Sequence, residues 1–584
     1  MGSVNLFKTY WLIFFLSPLC LMAVVSPAVA DSESSDHPSL IPDYQLNNPW
    51  FLQARRRLQE RQSLLHRGTA SRAKNIIFLV GDGMGLSTVT AARIFAGQRL
   101  GKLGEEHELS FEKFPFTGLI KTYNVDAQVP DSAGTMTAMV TGVKNRFGVI
   151  GYDESVERGS CEPDRQQAQL MTLLELAELA GMRTGIVTTA RITHATPAAN
   201  FAKVSERDWE SIVTANGVSP DTATPACHDI AQQFVDFESN LQQRLSGAVG
   251  EMGGSIQSLA GLTDGVDVSF GGGARHFVAR GEEGSQFKVA GGRRVMSKRK
   301  DGRNLIEQWQ RQGDNRFLVS SVSELTTFFE SEIQKDQDFA QNIQLLGMFA
   351  SSHMDYEAQR ELQTADEQPS LTTMSMRALD VLESASEGYF LQIESGRIDH
   401  AHHAGNAFNA LNETAEFSRA IQAIVERVDL SDTLILVTAD HSHVMTIAGY
   451  PKRGNKILDY MNSLESVAPY VQTQDGKPYT TLSYANGRGV QLFAGNPDAD
   501  ASYKTPVVGG RIATQIDPND IGYHQEALVP LQAETHAGED VAVYAIGPGS
   551  EWVSGTHEQN YLFHVMEAAG QLEQRAREKI LADP

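Results

Sequence analysis

Apolar residues in this chain gather into short unbroken runs, not alternating ones. Ile76-Ile77-Phe78-Leu79-Val80, Thr184-Gly185-Ile186-Val187-Thr188, Tyr389-Phe390-Leu391-Gln392-Ile393, Thr433–Val437 and Val541–Ala545 are each too apolar on both faces for a strand with one wet side. Helical stretches separate them, which predicts a three-layer α/β/α sandwich around a large, mainly parallel central sheet. Over residues 49–67 the period becomes helical, with Phe51, Ala54, Leu58 and Leu65 on one face and Arg55, Arg56, Arg57 and Glu60 around it. That helix lies outside the main domain and is expected to pack on a neighbouring subunit. A second helix is expected over about Ala168–Ala180. Residues 31–48 read as a flexible polar leader, and the Gly- and Ser-rich stretch 210–300 as loops with short helices. Residues 449–528 turn to Gly, Asn, Pro and Tyr and read as an inserted subdomain, which splits the main domain into 74–448 and 529–584.

The first thirty residues stand apart from this pattern. Lys8, the apolar run from Trp11 to Val25 and the Ala28-Val29-Ala30 site read as a secretory signal, so the mature protein is expected to be exported and soluble. Leu19 before Cys20 argues against a lipoprotein. The charged C-terminus (Arg575, Arg577, Glu578, Lys579) argues against a lipid-anchor signal, so no membrane anchor is expected. Removing the signal leaves two cysteines, Cys161 and Cys227, whose even number suggests one disulfide in an oxidising compartment, with two buried thiols as the alternative. The net charge of −23 argues against a nucleic-acid partner, which would call for a basic patch.

Candidate chemistry collects where strands end. After Tyr389–Ile393 come Glu394, Asp399, His400, His402 and His403. Asp399 and His403 are four apart, on one face of a first helical turn, and an Asp with a His suits zinc, while Glu394 offers a harder oxygen to a separate magnesium-like ion. After Thr433–Val437 come Asp440, His441 and His443, and after Ile76–Val80 comes Asp82 between Gly81 and Gly83. The spacing there is not Gly-x-Gly-x-x-Gly, and an Asp would repel a pyrophosphate, so metal bridging fits better. His536 precedes its strand, so a loop is expected to fold it back. Ser132, in Val129-Pro130-Asp131-Ser132-Ala133-Gly134-Thr135, begins an expected helix as N-cap or first residue. The same position aims N–H groups at a bound anion. No His lies near it in sequence, which favours activation by metal over a Ser-His-Asp triad.

Together these motifs resemble the alkaline phosphatase family over nearly the whole chain after the signal. The resemblance is carried by Phe78–Gly85, Val129–Thr135, Ile192-Thr193-His194-Ala195-Thr196-Pro197-Ala198, Glu394–His403, Thr438–His443 and Glu534–Asp540. It implies one zinc on Asp399, His403 and His536, and a second on Asp82, Asp440 and His441 beside the nucleophile Ser132. It also implies a magnesium sharing Asp82 with Thr196 and Glu394, and a phosphate-binding Arg207. His194, His400 and His443 are expected behind these ligands, and His402 is left without an assigned role. Animal-type members also hold calcium, for which Asp301 matches one ligand region. The implied activity is hydrolysis of small-molecule phosphate monoesters through a phosphoserine, in a homodimer. A phosphodiesterase relative would lack the Thr196–Glu394 site, a sulfatase needs a Cys/Ser-x-Pro-x-Arg segment absent at Ser132, and a metal-buffering protein would need no serine.

Overall fold

Seven residues from Asn75 to Gly81 form a strand with every position from Ile76 onward buried, and five more strands of the same sheet share that property: Arg183–Arg191, Val268–Gly272, Gln344–Met348, Tyr389–Ser395 and Thr433–Ala439. Burial on both faces requires helices on both sides of the sheet. The computed structural model describes residues 39–582 except 66–71, 161–164, 212–227, 280–286, 334–338, 340–341, 363–367, 466–467 and 493–516. Ser39–Pro584 is one compact unit. The signal segment, Cys161 and Cys227 lie outside the described residues.

The central sheet has ten strands, here numbered along the chain: β1 Asn75–Gly81, β2 Phe116–Lys121, β3 Arg183–Arg191, β4 Val268–Gly272, β5 Arg316–Val319, β6 Gln344–Met348, β7 Tyr389–Ser395, β8 Thr433–Ala439, β9 Val541–Ile546 and β10 Gly555–Glu558. Their order is β10-β2-β9-β8-β1-β7-β3-β4-β6-β5. From β8 to β5 every neighbour is parallel. Strand β9 runs antiparallel to both β8 and β2. The carboxyl ends of β8, β1, β7 and β3 therefore share one edge, with Gly81 beside both Ala439 and Ser395, and Thr188 beside Glu394.

Several expectations change. The helix α1, Pro49–Leu65, buries Phe51, Ala54 and Leu58 within this chain, with the Phe51 ring 5.7 Å from Phe563 and 4.5 Å from His564 on the helix Tyr561–Gly570, so these three residues belong to the chain's own core. The described part of the leader, residues 39–48, is packed on the body. Leu40 and Ile41 are buried, Asp43–Leu46 makes a helical turn, and Gln45 donates to the Thr141 carbonyl (2.7 Å) and accepts from the Met171 N–H (2.7 Å). The helix expected over 168–180 spans only Leu173–Leu179. Thr172 starts it in a reciprocal cap, accepting from the Glu175 N–H (3.1 Å) while its own N–H donates to the Glu175 carboxylate (2.9 Å). The stretch 210–300 holds the fifteen-residue helix Phe237–Glu251 and strand β4, so it is more regular than its Gly and Ser content suggested.

Within 445–530 a three-stranded sheet joins Met445–Ile447, Leu482–Gly487 and Ala527–Pro530. It is tied to the body through Tyr484 Oη to His402 Nδ1 (2.8 Å) and Asn406 Nδ2 to the Ile521 carbonyl (2.8 Å).

Truncating Phe51 to Ala should cost about 3–5 kcal/mol, as for other buried aromatic residues. It would show as a lower urea midpoint. An unchanged midpoint would mean that α1 is not integral to the fold.

Candidate metal centre

Strand β1 ends at Gly81, and Asp82 follows in a turn that passes directly under His443. A Cβ on Gly83, whose φ is +69°, would fall 2.4 Å from the His443 ring, so only glycine fits there. Strand β7 carries Glu394 at its end, then the helix Arg397–His403, which presents Asp399, His400 and His403. Strand β8 delivers Asp440 and His441. His536 needs no folded-back loop. Because β9 is antiparallel, the residues before it already lie at the shared edge, and His536 pairs with His443 in a two-residue ribbon.

Around Asp399 Oδ1 stand His443 Nε2 at 2.8 Å, His403 Nε2 at 3.2 Å and His536 Nε2 at 3.3 Å. His403 Nδ1 donates to the Glu534 carbonyl (2.6 Å) and His536 Nδ1 to the Pro130 carbonyl (2.8 Å). With the protons on Nδ1, the two Nε2 lone pairs face each other at 3.1 Å and face a carboxylate. That contact repels unless a cation lies among them. Though burial opposes it, Asp399 pulls the His403 pKa up. His443 differs, since its Nδ1 lies 2.6 Å from Glu534 Oε2 while its Nε2 faces Asp399. Against burial, those two carboxylates push its pKa up to about 10, so it is an imidazolium that holds Asp399 in place and has no lone pair for a metal.

Ser132 is the first residue of the helix Ser132–Thr141, all of it buried. Asp131 caps it, accepting from the Gly134 N–H at 3.2 Å. Ser132 Oγ lies 3.2 Å from His441 Nε2, which is also 3.3 Å from Asp440 Oδ2 and 3.4 Å from Asp82 Oδ1. Asp440 Oδ1 accepts from the Gly83 and His441 N–H groups, both at 3.0 Å. Asp440 Oδ2 and both oxygens of Asp82 are buried without a donor, as are Glu394 Oε1 and Thr196 Oγ1. Burial and mutual repulsion raise Asp82 well above the usual carboxylate range, Glu394 to about 7 and Asp440 to about 6. Buried anions without donors are stable only beside cations, so the donor set fits metal ions on both sides of Asp82.

Arg207 donates to Asp131 Oδ2 (3.0 Å) and lies 3.3 Å from His194 Nε2. His194 also faces Asp82 and Glu394, with one ligand atom of each within 4.8 Å of the others. His400 Nε2 is 4.0 Å from Asp399 Oδ2. His402 is a satisfied core residue, bonded to Thr88 Oγ1 (3.0 Å) and Tyr484 Oη (2.8 Å). Asp301 is occupied by Arg299 and by Arg303 Nε (2.8 Å), and joins no cluster of candidate ligands among the described residues. Sequence reasoning missed Glu534, Thr188, which donates to Glu394 Oε2 (2.5 Å), and His353. His353 follows the end of β6 and was open to the same strand-end logic.

Lone pairs and carboxylates facing one another in so dry a place, with a serine at their rim, define the class as a metal-binding α/β hydrolase. A family model described as alkaline phosphatase matches residues 73–252 and 247–572. The human tissue-nonspecific alkaline phosphatase isozyme is 36% identical over 498 residues, covering 85% of this chain and 83% of the relative. Alkaline phosphatase 4 of Drosophila melanogaster is 37% identical over 531 residues, covering 90% and 81%. Among solved structures, Thermus thermophilus alkaline phosphatase shares the fold at a TM-score of 0.54 and 22% identity, covering 88% of this chain and 96% of that one. A variant of TAB5 alkaline phosphatase with Mg bound in its M3 site aligns at a TM-score of 0.52 and 20% identity, covering 86% and 99%. The chain belongs to the alkaline phosphatase family, and with it comes hydrolysis of small phosphate monoesters.

If repulsion at Asp82 is relieved only by cations, Asp82→Asn should have opposite effects in two buffers. In chelator at pH 8, where the wild-type carboxylate is forced towards charge, the variant should be the more stable, by on the order of 1 kcal/mol. In excess zinc and magnesium the wild type should melt higher, because ligand binding stabilises it by mass action. A variant less stable in both buffers would show that Asp82 is held by protein contacts alone.

Proposed function

We propose that this enzyme hydrolyses phosphate monoesters at alkaline pH by way of a phosphoserine on Ser132, with two zinc ions and one magnesium ion held by the side chains described above. The observation that carries this reading is the serine hydroxyl, 3.2 Å from His441 in a nest of carboxylates that lack donors. Asp399, His403 and His536 would hold one zinc, and Asp82, Asp440 and His441 the other. Asp82, Thr196 and Glu394 would hold magnesium, the ion named for the TAB5 variant's M3 site. When bound, these ions supply positive charge that lowers the pKa of the serine hydroxyl and of water and stabilises the leaving oxygen.

The chain's own groups do the positioning. Asp131 fixes Ser132 at the helix start, with N–H groups and the positive helix end aimed at the incoming phosphoryl group. Asp131 also receives the Gly148 N–H (3.0 Å) and Asn124 Nδ2 (3.0 Å). Although burial pushes its pKa up, the Arg207 charge and the Gly148 and Gly134 N–H groups hold it below its usual value, so it stays a counterion that aims the guanidinium. The planar Arg207 fork suits two phosphoryl oxygens. Ser132 Oγ displaces the alcohol in line, and water then displaces the serine from the opposite side, so two inversions give retention at phosphorus.

A homodimer is part of the same reading. Exposed apolar side chains concentrate on the 445–531 region, where Tyr450 is 88%, Leu464 82% and Leu528 82% exposed, beside Ile447, Val529 and Leu531. Export through residues 1–30 and a Cys161–Cys227 disulfide are proposed on sequence grounds. Among the described residues no helix is long and apolar enough to cross a membrane.

Two measurements test this reading. Replacing Ser132 with Ala should lower turnover of a chromogenic monoester by three or more orders of magnitude, the scale of losing a nucleophile. A diester and a sulfate ester should remain poor substrates of the wild type. Equal monoester turnover in the variant would rule out the covalent route, and a zinc-to-magnesium ratio far from two to one would overturn the ligand assignment. Light scattering should give twice the chain mass, and replacing Leu528 and Tyr450 with Asp should return it to one. A wild-type monomer would remove the dimer from the proposal.

A further inference from the structure

Three imidazoles stand together on the Arg207 side of the centre, and two of them come from the motifs already discussed. The third, His353, lies five residues past the end of β6. One ring nitrogen of each of His194, His353 and His400 lies within 4.8 Å of the others. The ring centroids are 4.0 Å apart for His353 and His400, 5.3 Å for His194 and His353, and 5.5 Å for His194 and His400. Nδ1 of all three is buried without a hydrogen-bond partner. The composition is that of a cation site, but the neighbours argue otherwise. His353 Nε2 meets the Arg191 guanidinium, and His194 Nε2 faces Arg207 Nη2 at 3.3 Å. A guanidinium only donates, so both Nε2 atoms accept and both protons sit on Nδ1. A cation on either ring would need a lone pair already engaged, beside a fixed positive charge.

We infer that His353 is a positioning residue for phosphate binding, carrying the anchorage of Arg191 to His194 and His400 and through His194 to Arg207. The anchor is firm. Arg191 Nε and Nη2 donate to the two oxygens of Glu210, each at 2.8 Å, and Thr193 Oγ1 donates to the same carboxylate (2.5 Å). Ser352 Oγ, on the residue before His353, receives Arg191 Nη1 at 3.3 Å, so the ring and the neighbouring hydroxyl are tied to one guanidinium. From there His353 lies against His400 and meets His194 edge-on. The far end of the chain of contacts is Arg207, on Asp131, on the helix that begins with Ser132. Without the His353 ring, a void beside His194 and His400 would let both rotate and would leave Arg207 without its wall. The loss should fall on binding of the phosphoryl group more than on its transfer. This inference rests on the reading of Arg207 as a phosphate ligand.

The test compares His353→Ala, His353→Gln and His353→Asn in the full-length, metal-loaded enzyme. The Gln amide oxygen reaches the place of Nε2 and keeps an acceptor for Arg191, whereas Asn is too short. In the Ala and Asn variants, KM for a monoester and Ki for inorganic phosphate should rise together by about tenfold, with kcat within about threefold. Gln should recover most of both, and metal content per chain should equal the wild type in all three. KM and Ki within twofold of wild type in Asn would overturn the inference, as would Gln no better than Asn. Loss of one metal equivalent would also overturn it, by making His353 a ligand. If Ala fails to fold, the Gln and Asn pair still decides. Arg207→Ala in the same assay keeps the outcomes separate: a raised Ki for inorganic phosphate there beside unchanged His353 variants leaves the reading of Arg207 standing and sinks only this one.

Discussion

Three carboxylates, Asp82, Glu394 and Asp440, are fully buried at the ends of three adjacent strands, and four of their six oxygens have no donor. Like charges a few ångströms apart inside a protein repel by several kcal/mol even at a generous effective dielectric. No hydrophobic burial nearby removes that cost, because it is local and electrostatic. The centre is therefore built around positive charge it does not itself provide, and most of the surrounding structure is scaffolding that keeps the carboxylates from moving apart. Parallel strands buried on both faces are suited to this, since their ends cannot splay without opening the core.

Strand direction does the rest of the assembly. In a fully parallel sheet, residues preceding a strand lie at the edge opposite the active one. Reversing β9 brings Glu534 and His536 to the same edge as Asp440 and His443. One antiparallel strand thus supplies both a lone pair, from His536, and the carboxylate that charges His443, from Glu534.

The strands that build the centre were legible in the sequence because burial on both faces leaves an unbroken apolar run, as in β1, β3, β7, β8 and β9. The other five were not. Phe116–Lys121 alternates because one face is exposed, and the edge strands Arg316–Val319 and Gly555–Glu558 carry polar residues at half-buried positions. Val268–Gly272 and Gln344–Met348 are fully buried but hold Ser, Gly and Gln, and Gly347 is there for closeness, as a Cβ would meet Phe270 and Phe349 at 2.6 Å. Missing β6 also hid His353, since the logic that flagged His441 needs a strand to end. Motif spacing made the ligand set readable. It could not reveal Glu534, whose importance comes only from the pairing of two ribbons far apart in sequence.

Histidine roles at the centre follow from partners, not from positions in motifs. His403 and His536 give their Nδ1 protons to backbone carbonyls and so turn bare Nε2 atoms inward. His443 lies between two carboxylates and keeps both protons. His194 and His353 face guanidinium groups with Nε2, which fixes their protons on the opposite nitrogen. Backbone carbonyl, carboxylate and guanidinium thus sort chemically identical rings into bare lone pairs, a cation and acceptors. The rings that face arginines have their Nε2 lone pairs engaged, while those of His403 and His536 stay bare and turned toward Asp399.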